Sequence, residues 1–165
     1  MEQLTSQVIP QRALAAWISL LRSHSALTRQ MNTELVARHG LTLSDYDVLV
    51  NLARAPERAM RRVDLAASVV LTASGITRLL DGLERAGWVC KRSCEVDARV
   101  TYAVLTDAGL EKLREAAATH HADIQRLFTG RFADQELAQL GALLGRLYGE
   151  NGQGDDAEAC GPLES

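Results

Sequence analysis

The chain has 165 residues, of which 4% are aromatic, and a formal net charge of −3; this length suits one domain with a buried core, and the abundance of Leu and Ala favours helix-on-helix packing over a β-sandwich. No apolar run approaches the roughly 20 residues that a membrane-spanning helix needs, and the opening MEQLTSQVIP lacks the basic-then-apolar layout of a secretory signal, so a cytoplasmic protein without a membrane partner is expected. The acidic total does not exclude nucleic acid, because residues 54–102 carry nine basic and six acidic groups whereas residues 150–165 carry five acidic groups and no basic one, and a phosphate backbone meets the local field.

A first helix is predicted from about Pro10 to His39, with proline tolerated in its first turn and Gly40 as its stop. Trp17, Leu20, Leu21, Leu27, Met31 and Leu35 recur on one face of it, and His24 falls on the same face. A second helix, from about Asp45 to Ala55, ends at Pro56. Ser44 and Asp47 have the spacing of a capping box with Asp in place of Glu. Met60 to Arg62 reads as a brief strand, and Val63 to Val70 as a short helix that breaks at Leu71 and Thr72. Thr72 is placed to cap the next helix. Ala66 and Ala67 are small enough to let the two helices cross closely, with Leu65, Ile76 and Leu79 between them.

In that next helix Ile76, Leu79, Leu80 and Leu83 keep helical spacing, while Thr72, Ser74, Thr77, Arg78, Asp81 and Arg85 lie between or opposite them. Gly87 stops it. Two runs of β-formers follow, Trp88 to Arg92 and Val100 to Leu105, joined by the charged segment Ser93 to Arg99. A helix leading into a basic-tipped hairpin is the outline of a winged helix-turn-helix. Thr106 then caps a long helix to about Thr129 with the stripe Leu110, Leu113, Ala117, His120, Ile124 and Leu127, and Leu137, Leu140, Leu144 and Leu147 mark a last helix. The expected fold class is mostly α with a small β-hairpin wing. The stripes outside the reading head need a cover, and a second copy of the chain is the simplest one; His120 is then expected at that interface. Residues 149–165 read as an acidic, disordered tail.

The order of helices, the GLERAGWVCKR junction and the segment DARVTYAVLTDAG resemble the MarR family of bacterial transcriptional regulators. The wing signature of that family, D-x-R followed by L-T, stands here at Asp97, Arg99, Leu105 and Thr106. The likeness spans about residues 10–148 and is most specific across 60–110. It implies a reading head over about 42–105 and dimerisation helices over about 10–39 and 106–148. It further implies a homodimer on a pseudo-palindromic operator of double-stranded DNA, usually acting as a repressor and in many members released by a small phenolic or aromatic-acid ligand.

The chemistry of the reading head can be stated from the residues. A helix N-terminus offers unpaired N–H groups to a phosphate while side chains one or two turns in reach base edges, which singles out Thr72, Ser74, Thr77 and Arg78. Arg99 is expected in the minor groove, with Asp97 holding it in place, and Arg61, Arg62, Lys91 and Arg92 on phosphates. The bland alternatives are a solvated helix face and a surface ion pair. For an aromatic acid, Trp17, Arg22, His24 and Tyr46 are the candidate lining, against the competing reading of His and Trp as packing residues. Cys90, Cys94 and Cys160 lack zinc-ligand spacing and read as free thiols; Cys90 and Cys94 share the wing, where a thiol switch is an alternative mode of regulation. No phosphate loop, nucleophile elbow or HExxH pattern is present, and the adjacent His120 and His121 cannot share a helix face, so neither an enzyme nor a metal site nor a cofactor is expected. The competing class is a winged-helix module that binds a protein instead of DNA.

Overall fold

Gly40 and Thr42 decide where the first two helices part. In the computed structural model, which describes residues 9–69, 73–93 and 100–148, α1 (Gln11–His39) ends at Gly40, whose φ of 68° is left-handed and whose N–H returns to the Val36 carbonyl. A residue without Cβ takes that conformation at little cost. Thr42 then caps α2 (Leu43–Arg54): its side chain accepts from the Asp45 N–H, and the Asp45 carboxylate accepts from the Thr42 N–H at 2.8 Å and from its hydroxyl at 2.7 Å. The capping box is therefore Thr42 with Asp45, two residues ahead of the expected Ser44 and Asp47. Thr42 is extended, as a cap must be, whereas Ser44 already lies inside the helix.

Pro56 ends α2 and opens a single 3-10 turn, Pro56–Arg58, in which Glu57 and Arg58 both have a φ of 54°. β1 (Ala59–Arg61) runs directly into α3 (Arg62–Ser68), and α4 (Ala73–Arg85) follows. Past Gly87, at φ 77°, come β2 (Val89–Ser93) and β3 (Thr101–Leu105). The sheet is antiparallel in the order β1-β3-β2, with Arg61 opposite Tyr102 and Lys91 opposite Ala103. The brief third strand is thus present, one residue earlier than expected. α5 (Asp107–Leu127) and α6 (Asp134–Tyr148) are the last two helices among the described residues. The fold is mostly helical with a small sheet, as expected of a winged helix.

The core lies where α2, α4, the sheet and α5 meet. Leu49 and Leu52 of α2, Leu65 of α3, Ile76, Leu80 and Leu83 of α4, Val89 of β2 and Leu113 of α5 are all buried. Each such side chain contributes on the order of 1.5–3 kcal/mol relative to exposure. The outer helices differ. α1 buries only Leu35, being tied to its neighbours by His39 Nε2 with Thr119 Oγ1 at 2.8 Å and by the Leu43 N–H donating to Asn32 Oδ1 at 3.0 Å. Leu14, Trp17 and Leu21 stay exposed. Among the described side chains of α6 none is buried, and Leu143 and Leu147 are 58% and 62% exposed.

His120 corrects the sequence expectation. It lies inside the chain, stacked on Tyr46 at 4.4 Å between ring centroids, because the stripe of α5 that carries it packs on α2. Burial, with the neighbouring His121 charge adding to it and Asp123 opposing it, lowers its pKa.

The wing, the reading helix and α5 meet at one junction. The Thr106 hydroxyl donates to the Gly87 carbonyl at 2.7 Å and accepts from the Gly109 N–H at 3.0 Å, while the Thr106 N–H donates to the Trp88 carbonyl at 3.1 Å. Gly109 sits so close to this turn that a Cβ on it would lie 2.0 Å from the Trp88 carbonyl oxygen.

Candidate nucleic-acid interface

The buried stripe of α4 dictates what its other face presents. Ile76, Leu80 and Leu83, spaced by four and three, are buried, which turns Arg78 outward and leaves Thr77 half-buried. Ser74 lies in the first turn of α4, with its side chain outside the described residues; Thr72, Asp97 and Arg99 also lie outside them. Arg61 and Arg62, at the step from β1 into α3, are both exposed. Arg92 on β2 remains exposed although its guanidinium is 3.9 Å from the Glu57 carboxylate and 6.0 Å from the centre of the Tyr102 ring. The register of the sheet sets Arg61 and Arg92 on either side of Tyr102 in the central strand.

Lys91 has a different environment from the one expected of a phosphate contact. Its ammonium donates to the Asp81 carboxylate and lies 2.8 Å from Glu84, both on α4. Hydrogen bonding within this trio raises the pKa of Lys91 and lowers that of Asp81. The side chain thus pins strand β2 to the reading helix and has its charge matched locally. Two acids three apart on α4, followed past Gly87 by a basic strand, were the signal in the sequence. The pairing spans ten residues between a helix and a strand, which helical periodicity does not reveal.

The four residues expected to line a ligand pocket are not brought together within the chain. Tyr46 is buried against His120, whereas Trp17, Arg22 and His24 are exposed along the N-terminal half of α1. The reason is that α2 turns Tyr46 into the core while that half of α1 runs clear of it. Cys90 is an exposed free thiol on β2; Cys94 and Cys160 lie outside the described residues. Among the described residues no cluster of His, Cys, Asp or Glu is arranged to hold a metal ion, and no helix is long and apolar enough to cross a membrane.

Comparison with known proteins decides the family. The model of the MarR family matches residues 39–100. The crystal structure of AbsC, a MarR family transcriptional regulator from Streptomyces coelicolor, is 32% identical and superposes with a TM-score of 0.79 over 86% of this chain and 95% of that one. The chain belongs to the MarR family. A second MarR-family regulator of the same organism, Sco3205, solved in complex with DNA, is 27% identical with a TM-score of 0.83 over 95% of this chain and 98% of that one. The HTH-type transcriptional regulator PecS of Dickeya dadantii is 29% identical over 132 residues, covering 79% of this chain and 78% of that protein. All three relatives are transcriptional regulators, and the mostly helical fold with a small three-stranded sheet described above matches that of the two solved MarR-family structures.

Within this MarR-type head, Lys91 offers a clean test. A lysine on a phosphate releases a counterion, and losing it reduces the salt slope of DNA binding by about one unit. Lys91→Met is expected to weaken binding while leaving that slope unchanged, because what is lost is the hold on α4. A slope lower by one in a salt titration would return Lys91 to the phosphate contacts.

Proposed function

We propose that this chain is a sequence-specific DNA-binding transcriptional regulator that works as a homodimer on a pseudo-palindromic operator, represses from it, and is released by a small organic effector. The observation that carries the reading is the α4 face: an exposed Arg78, backed by a buried leucine stripe, in a chain that superposes at a TM-score of 0.83 on a relative solved with DNA. In the major groove Arg78 can donate two parallel hydrogen bonds to guanine O6 and N7. Thr77 and Ser74 follow it as less selective contacts, Thr72 at the helix start and Arg61, Arg62 and Arg92 meet phosphates, and Arg99 enters the minor groove with Asp97 as its support.

The domain division follows the same reading, with the head over about 42–105 and the dimerisation helices on either side within 10–148. The dimer is supported by the exposed apolar side chains Leu14, Trp17, Ile18 and Leu21 on α1 and Leu143 and Leu147 on α6. A soluble chain covers such faces with a partner surface. Two reading helices then fall about one helical turn of DNA apart, roughly 34 Å.

The test is a salt-dependent shift of labelled DNA from the region upstream of the protein's own gene, with Arg78→Ala beside the wild type. The substitution is expected to cost roughly 1–3 kcal/mol and to relax the preference for a single base pair. No retardation at micromolar protein and low salt would favour a protein-binding winged helix instead.

A further inference from the structure

Some cations of the head are matched within the protein and others are not. Arg58 is paired with Asp107 at 2.9 Å, Arg92 lies 3.9 Å from Glu57, and Lys91 is held by Asp81 and Glu84. Arg61, Arg62 and Arg78 are exposed and make no ion pair among the described residues. The first two stand at the step from β1 into α3 and the third on α4, and these two helices pack on one another. Unpaired guanidinium groups carried by two packed helices suit an anion with several charges. In the function proposed above that anion is the DNA backbone.

The same chain carries such an anion. Past the end of α6 at Tyr148, and outside the described residues, Glu150, Asp155, Asp156, Glu158 and Glu164 bring five negative charges with no Lys or Arg among them. Leu163 is the one large apolar side chain of that segment, so charge and not apolar burial is what it offers a partner surface. Fully extended, residues 149–165 would reach roughly 56–61 Å, against about 44 Å for the 29 residues of α1. Length alone does not keep the segment from the head. Each exposed ion pair is weak by itself. A covalently joined segment, however, meets the head at an effective concentration on the order of millimolar, and several arginines can be met at once.

We propose that residues 150–165 dock on Arg61, Arg62 and Arg78 in the DNA-free protein, and that duplex DNA displaces them when it binds. The docked segment lowers affinity for every duplex by the same factor, since the same cations must be released each time. A nonspecific duplex, held by phosphate contacts alone, falls to negligible occupancy first, and an operator with base contacts in addition stays bound. The competition rests on the DNA-binding reading, and the docking does not.

The experiment uses the full chain with Cys90→Ser and Cys94→Ser, which leaves Cys160, inside the segment, as the one thiol to carry a nitroxide spin label. In the DNA-free protein the amide signals of Arg61, Arg62 and Arg78 are expected to broaden, and to recover near 1 M salt, where the screening length is about 3 Å. They should also recover in the chain neutralised by Glu150→Gln, Asp155→Asn, Asp156→Asn, Glu158→Gln and Glu164→Gln. Sharp signals at all three arginines with the acids in place, or broadening that survives the five substitutions, would overturn the docking. In the DNA shift at low salt, the unlabelled neutralised chain is expected to bind about tenfold more tightly than the wild type, because no docked segment has to leave. Its salt dependence should also be steeper, since no ion pairs within the protein are given up. Tighter binding without any broadening would assign the effect to plain repulsion between segment and DNA, and the docking would fall. Equal affinity of the two chains would overturn the competition. If neither chain bound any duplex, the DNA-binding reading itself would fail, and the spin label would still decide the docking.

Discussion

Gly109→Ala is expected to lower the unfolding midpoint by about 10 °C. The added Cβ would meet the Trp88 carbonyl oxygen at 2.0 Å and the Leu105 side chain at 2.8 Å. The first of these is backbone, already engaged by the Thr106 N–H, so it cannot yield without opening the junction. Overpacking in a tight site costs typically 1–3 kcal/mol and sometimes more, and each kcal/mol shifts the midpoint of a chain this size by roughly 2–4 °C. Gly145→Ala is the matched control. It lies in α6 with nothing within 4 Å of the new Cβ, and exchanging a helical glycine for alanine there should stabilise by about 0.5–1 kcal/mol. Thermal unfolding followed by circular dichroism would check both. If the two variants melted together, the close approach of α5 to Trp88 would not be a feature of the folded chain.

Leu143→Asp combined with Leu147→Asp is expected to leave a folded monomer that binds the operator about a hundredfold or more weakly. The two leucines are one helical turn apart on α6, both exposed, and no core residue depends on them. Carboxylates there leave the chain intact but make a buried dimer seam costly, since an unpaired charge would have to give up its water. Two heads held together gain roughly 10²–10⁴ in affinity over one, because the second contact is made at high local concentration. Sedimentation velocity and a DNA titration measure the two effects separately. A double variant that stays dimeric would place the seam elsewhere, and one that is monomeric yet binds as before would remove spacing from the basis of specificity.

Much of the fold was legible because its punctuation is local. Gly40, Pro56 and Gly87 stop helices by their own backbone chemistry, and Thr106 caps α5 as its position suggested. The start of α2 was harder, because Thr42 with Asp45 and Ser44 with Asp47 have the same spacing. Only the extended backbone of Thr42 separates them. The place of His120 is not legible in the same way, since a heptad stripe says that a face is covered and not by which element; α2 covers it through Tyr46. The candidate site divides in the same way. The outward turn of Arg78 follows from the α4 stripe, whereas the pairing of Lys91 with Asp81 and Glu84 depends on contacts between a helix and a strand. No periodicity encodes that pairing.

The Thr106 junction has a mechanical meaning. One hydroxyl joins the exit of the reading helix to the start of α5, with the wing strand between them, so the head and α5 turn together like a crank on its shaft. α5 has 21 residues, about 32 Å at 1.5 Å per residue, and a tilt of about 5° about one end moves the other by roughly 3 Å. Against the half-sites roughly 34 Å apart that the proposed dimer would read, such a tilt would put two heads out of step with the groove while every contact inside each head stays as it was.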